Sequence, residues 1–319
     1  MTDFVTRDGG TRFTLASVTP IRPPVTIGGS SAAAACGIDP RRSRIGLWCE
    51  LTGRMERRET EAMRWGTLLE PLIVEQLVEL GFVSAYTTTS YDDEPTTDAR
   101  HPWLVGHPDG YVQLGEDNEW ALLEVKTAGS WSAREWADDA VPLPYVAQVQ
   151  TYLHLTGLER ALLACLVGGQ KLELRTVTRD DRAIARMLAL MEEFVGYVER
   201  DEPPPPDDSE SARDALAALY PGVKGERVRL LGEDWQTYRE LVARREQEAA
   251  VKAQRVALEN RLKARMGDAT EAISPWDDVV LRWTPSTRTA LDTAKVRAEF
   301  PEVYDACKQT TETRRFSVD

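Results

Sequence analysis

Cysteine is scarce: Cys36, Cys49, Cys165 and Cys307 are scattered over 319 residues with no CxxC pair and no histidine at zinc-finger spacing. That excludes a disulfide framework and a cysteine-rich zinc module, and the four are read as reduced packing residues of a cytoplasmic protein. Long apolar runs are missing too. No stretch approaches the roughly 20 residues that span a bilayer, and the opening "MTDFVTRDGGTRF" lacks the basic-then-apolar order of a signal peptide. Neither secretion nor membrane insertion is expected. Histidine occurs only at 101, 107 and 154, and all three are read as structural or as neighbours of a turn. Basic charge is in deficit, with 39 Lys and Arg against 52 Asp and Glu for a net charge of −13. That balance argues against a broad surface for a polyanion.

The distribution qualifies the sum. Acid concentrates in "DEPPPPDDSE" (201–210) and late helices, whereas residues 40–65 hold seven Arg against four Glu. Arg41, Arg42, Arg44, Arg54, Arg57 and Arg58 suit a phosphate backbone, or equally ion pairs with Glu50, Glu56, Glu59 and Glu61.

Local pattern gives the organisation. Residues 1–24 have no sustained period and end in "RPP", an N-terminal arm. Ser30 or Ser31 is a natural N-cap for a short Ala-rich helix closed by Gly37. Apolar residues then recur at helical steps from Arg44 to Leu80. Strand-like stretches follow at 82–90, 103–114 and 120–127, the last two joined by the hairpin turn "GEDNE". Pro142 and Pro144 open a helix ended by Gly157; two strands meet at Gly168-Gly169, and 180–200 is an amphipathic helix. The proline run 201–210 reads as a stiff linker and a domain boundary. Residues 211–319 form an appendage, with one long charged helix whose narrow apolar stripe needs a partner, a strand at 278–283, a short helix and a last strand-like "RRFSVD".

"HPDGYVQLGEDNEWALLEVKT" (107–127) carries the chemistry. Alternation along a strand puts Glu124 and Lys126 on one face and Leu123 and Val125 on the other. The apolar face is expected to be core and the polar face a site. A hairpin brings Asp109 to Glu124, and two close carboxylates call for a cation; all-oxygen donors suit Mg²⁺ or Mn²⁺. Alone, the short motif fits an exposed cross-strand ladder at least as well.

Gly66 and Glu70, then Pro108-Asp109-Gly110, Glu124-Val125-Lys126 and Tyr145 to Gln148 and Gln150, together with "IGGSSAAAACGIDP" (27–40), form an ordered series. It closely resembles the lambda exonuclease and YqaJ-type viral recombinase family of the PD-(D/E)xK nuclease superfamily, over roughly residues 25–200. The resemblance implies a mixed α/β, restriction-endonuclease-like core with a central mixed sheet flanked by helices. It implies a Mg²⁺-dependent (or Mn²⁺-dependent) exonuclease that degrades one strand of duplex DNA from its 5′ end to 5′ mononucleotides. The remaining 3′ tail would serve a single-strand annealing protein in recombination. One or two ions would be held by Asp109, Glu124, the Val125 carbonyl and Glu70. Lys126 matches the catalytic lysine, and Gln148 a residue that orients water or phosphate. Ser30, Arg22, Arg54 and Tyr145 are candidates for binding phosphate or DNA, Arg22 with a spacing that differs from the family's. A homo-oligomer, in some members a ring, is also implied. Alternatives are a RecB-like nuclease with endonuclease or other end-processing activity, or a DNA-end-binding assembly factor with a weak site. The iron–sulfur variant of the fold needs a close cysteine pair that this chain lacks.

Overall fold

A five-stranded sheet in the order β2-β5-β6-β7-β8 organises the first part of the chain: β2 Ala85–Thr88, β5 Gly110–Leu114, β6 Glu119–Ala128, β7 Arg160–Val167 and β8 Lys171–Thr178. The computed structural model describes residues 25–56, 60–89, 94–114, 119–222, 225, 227–309 and 314–318. All neighbours are antiparallel except β6 and β7, which run parallel. A parallel step needs a crossover. It is supplied by a 3₁₀ segment, Ser130–Asp139, and a helix that starts behind Pro142 and stops at Gly157 in the left-handed conformation.

A second sheet, β1-β4-β3, is built from β1 Ile27–Gly28, β3 Thr96–Asp98 and β4 His101–Gly106. The helices are α1 Gly29–Ala35, α2 Arg44–Leu51, α3 Glu61–Glu79, the crossover helix α4 Leu143–Thr156, α5 Asp181–Glu199 and α6 Glu210–Leu219. On one side of the five-stranded sheet, Ile73, Val74 and Leu77 of α3 pack with Val112, Leu123 and Val125. On the other, Val149, Tyr152 and Leu153 of α4 pack with Leu122 and Ala161. A separate cluster, centred on Trp48, Met191 and Phe194, joins α1, α2, α5 and α6.

Several expectations change. The periodic run from Arg44 to Leu80 is two helices, because α2 ends before Gly53 at φ 71° and α3 restarts on a Thr60 cap that accepts from Met63 N–H. The expected strand 103–114 is also two, in different sheets: His107-Pro108-Asp109 breaks the ladder, as a proline without N–H must. The Ala-rich helix is capped by Gly28 rather than Ser30 or Ser31. "RRFSVD" forms no strand over its described residues 314–318.

The division of the chain falls between Tyr220 and Pro221, not at the 201–210 linker. Beyond the prolines, α6 turns Ala212 and Ala215 into the core, and Ser211 Oγ accepts from Ser43 N–H at 3.0 Å. The proline run is therefore a connection within one unit. The second unit contains the long helix α7 Glu233–Met266, a hairpin of β9 Glu271–Ile273 and β10 Val279–Arg282, and helices α8 Thr293–Glu299 and α9 Pro301–Cys307. No residue of α7 is buried. Within it, ion pairs such as Arg244–Glu240 and Arg255–Glu259 lie along its exposed surface, each worth a few tenths of a kcal/mol.

Candidate active site

The pairing Gly110↔Leu123 sets Asp109, one residue before β5, opposite Glu124. Asp109 is fixed there by a 2.7 Å hydrogen bond that its Oδ2 accepts from Val125 N–H. Gly110 allows the turn its path, since a Cβ at this position would run into the backbone carbonyl of Thr87 on the neighbouring strand. Gly110→Ala is therefore expected to part β2 from β5, costing about 1–3 kcal/mol and displacing Asp109. Urea denaturation would read the cost, and an unchanged midpoint would show that the strand edge yields freely.

Glu124 is fully buried, in contrast to the exposed ladder that the short motif also allowed. Both faces of β6 are covered, which corrects the simple division into core face and site face: Leu122 shares Glu124's face and packs under α4. Glu124 Oε1 accepts from Lys126 Nζ and, at 2.5 Å, from Gln148 Nε2. Its other oxygen, Oε2, is buried with no hydrogen-bond partner. Lys126 Nζ also donates to the Val125 carbonyl at 3.2 Å and lies 6.0 Å from the centre of the Tyr145 ring. Gln148 reaches Tyr152 Oη at 3.3 Å, one helical turn further along α4. Sequence reading did not single out Tyr152, although its spacing of four from Gln148 was the available signal.

Charge confirms the convergence. Burial pushes the Glu124 carboxyl up to about 8, opposed by Lys126 and reinforced by Asp109 and Glu70. Glu70, on α3, is pushed up to about 7, first by burial and then by Asp109, with Lys126 opposing. Asp109 is raised by burial and held back by Lys126 and the Val125 N–H. Lys126 is held above the usual ammonium range because the pull of Glu124 and Asp109 outweighs its own desolvation. Three carboxyl groups thus share one electrostatic neighbourhood around a single ammonium. A divalent cation fits this set: the donors are hard oxygens, and the orphaned Oε2 of Glu124 is a buried acceptor in need of a partner.

The remaining candidates are placed less centrally. Ser30 is exposed in the first turn of α1. Its neighbour Gly29 lies so close to the Tyr152 ring that a side chain would collide with it, so the start of α1 sits beside the Tyr152–Gln148 pair. Arg54 faces Asp201, with two contacts of 2.9 Å, and its guanidinium is stacked 4.4 Å from the Trp48 ring centre. Arg42 and Arg44 pair with Glu50 and Glu193. Of these pairs, Arg42–Glu50 is one that the ion-pair alternative named, whereas Arg44 and Arg54 pair with acids outside the arginine-rich segment. Arg22, Arg57 and Arg58 lie outside the described residues. Cys36, Cys49 and Cys165 are free and buried, and Cys307 is free and exposed.

Residues 19–159 match the family model of the YqaJ-like viral recombinase domain. This stretch includes Asp109, Glu124, Lys126, Gln148 and Glu70. Over that stretch the chain is similar to the YqaJ-like viral recombinase family. Over 301 residues it is 28% identical to the uncharacterised protein YqaJ of Bacillus subtilis (strain 168), covering 92% of this chain and 90% of that protein. Among solved structures it is similar to an alkaline exonuclease from Laribacter hongkongensis, at 21% identity and a TM-score of 0.45 over 55% of this chain and 89% of that one. A phage-related exonuclease from Haemophilus somnus 129PT matches at 14% identity and a TM-score of 0.40, over 56% of this chain and 95% of that one. The matched stretch contributes to a mixed α/β core, with Asp109 one residue before β5 and Glu124-Val125-Lys126 on the adjacent strand β6.

Proposed function

We propose that the protein is a Mg²⁺-dependent nuclease that degrades linear duplex DNA from the 5′ end and leaves a 3′ single-stranded tail for an annealing protein. The observation that carries the nuclease reading is the buried Glu124, with one oxygen shared by Lys126 and Gln148 and the other left open beside Asp109 and Glu70. Asp109, Glu124, the Val125 carbonyl and Glu70 would hold Mg²⁺ or Mn²⁺. Such an ion lowers the pKa of water and stabilises charge on a phosphoryl group.

The chain's own groups do the rest. Lys126, kept charged by its carboxylate neighbours, faces the charge that builds on the phosphoryl oxygens. Gln148 is fixed through its amide nitrogen, leaving its carbonyl to accept a hydrogen bond from the attacking water. Tyr145, beside Lys126, offers a ring against which a terminal base or sugar can rest. Ser30, at the free N–H groups that begin α1, is suited to a 5′ phosphate. Arg54 reaches DNA only by releasing Asp201. End dependence, 5′ polarity, mononucleotide products and a homo-oligomeric, ring-like assembly rest on the family resemblance.

The test uses 5′-phosphorylated linear duplex and a closed circle of equal length with Mg²⁺. Loss of the linear DNA alone, with release of 5′ mononucleotides, is expected. Equal digestion of the circle would replace this reading with a RecB-like endonuclease. Binding to ends without digestion would replace it with an assembly factor.

A further inference from the structure

A second group of potential ligands lies away from this site. Asp98 ends β3, His101 begins β4, and His154 sits in the last turn of α4. Asp98 Oδ2 lies 2.8 Å from His101 Nδ1 and 2.8 Å from His154 Nε2, and these ligand atoms are all within 4.8 Å of one another. Among the described residues they form the one such cluster of three; the carboxylates of Glu70, Asp109 and Glu124 are more widely spread. The side chains of Asp98 and His154 are each 10% exposed, and that of His101 22%.

We propose that Asp98, His101 and His154 form a binding site for a divalent transition ion of the zinc class. Two imidazoles and one carboxylate make a borderline donor set, which suits Zn²⁺ and its neighbours and not Mg²⁺. The carboxylate is prepared for the role. Its Oδ1 accepts from Arg100 N–H at 2.8 Å, which orients the group and leaves Oδ2 facing both rings. Tetrahedral zinc bonds of roughly 2.0–2.2 Å put neighbouring donor atoms about 3.3 Å apart. The two 2.8 Å gaps between Asp98 Oδ2 and the ring nitrogens would open by about half an ångström to admit the ion, with a fourth position left for water.

The site ties two elements that are far apart in sequence. β3 and β4 form an antiparallel pair with a register shift between Thr97 and Asp98, and His154 lies two residues beyond Tyr152 on the helix that presents Gln148. An ion held here pins the end of α4 to the β3–β4 ribbon, so its role is to position α4 and not to act on DNA. The histidines, expected to be merely structural, thereby acquire a chemical purpose.

The alternative is a hydrogen-bonded clamp in which both rings donate to Asp98. Co²⁺ and Zn²⁺ titrations of the metal-stripped full-length protein separate the two. They are run on wild type and on an Asp109→Asn/Glu124→Gln variant, in which the carboxylate site is disabled. The double variant is expected to take up one equivalent of Zn²⁺, to give the intense visible bands of low-coordinate Co²⁺, and to melt several degrees higher with excess Zn²⁺. His154→Gln retains an N–H for Asp98 but loses the imidazole donor. It should fold normally by circular dichroism and bind Zn²⁺ at least about 100-fold more weakly, as should His101→Ala. No Zn²⁺ uptake by the double variant, or uptake indifferent to His154→Gln, overturns the proposal. Neither result bears on nuclease activity.

Discussion

Glu124→Gln is expected to reduce DNA degradation about 10²–10³-fold while leaving the metal-free protein folded. The amide keeps an oxygen for Lys126 and Gln148 but removes the charge that the site needs to hold a cation. Stability should move the other way. In the metal-free wild type, Glu124 and Glu70 titrate near 8 and 7, against an ordinary value of 4.5. The folded state therefore binds more protons than the unfolded chain between about pH 4.5 and 8, and stability falls as pH rises through that window. Glu124→Gln removes the larger part of this slope. In EDTA, the variant should match wild type near pH 5 and exceed it at pH 8.5 in urea melts. Lys126→Met should lose activity to a similar degree but be less stable than wild type at pH 8.5, because it leaves Glu124 buried without its counter-charge. Undiminished degradation by either variant would remove these residues from the chemistry. A flat pH profile for the metal-free wild type would show that the three carboxyl groups do not share one field.

Trp48→Ala should give the largest loss of stability, about 3–5 kcal/mol, or on the order of 10 °C in Tm for a unit of this size. Trp48 is 2% exposed, and its indole N–H donates to the Tyr197 carbonyl at 3.2 Å. It lies in the cluster that joins α1, α2, α5 and α6. Arg54 would lose its stacking partner in the same step. A change of under 1 kcal/mol in thermal or urea denaturation would show that this helical layer repacks around the gap.

The hairpin was legible because two signals agreed: strict alternation in "WALLEVKT" and a Pro-Asp-Gly turn at a distance that a hairpin closes. α4 was legible from its proline start and glycine stop, so Gln148 could be assigned to a helix before its partner was known. Burial of Glu124 was not, because the polar face of β6 is covered by a crossover helix whose placement depends on β7 running parallel. The split of 103–114 between two sheets was hidden for a similar reason: periodicity is local, whereas sheet membership is set by partners elsewhere. α6 was misassigned because a proline run looks the same whether it separates domains or joins two helices of one core. The Asp98, His101 and His154 group was out of reach, since 56 residues separate Asp98 from His154 and no short motif joins them.

β6 is gripped by hydrogen-bonded neighbours on both edges, one antiparallel and one parallel. It can therefore move only in whole two-residue steps: a shift of one would turn Val125 toward Gln148 and send Glu124 into the aliphatic layer beneath α3. A one-residue insertion within this strand would carry Glu124 or Lys126 to the wrong face unless a bulge absorbed it, so the reading frame of the site is set by the pleat.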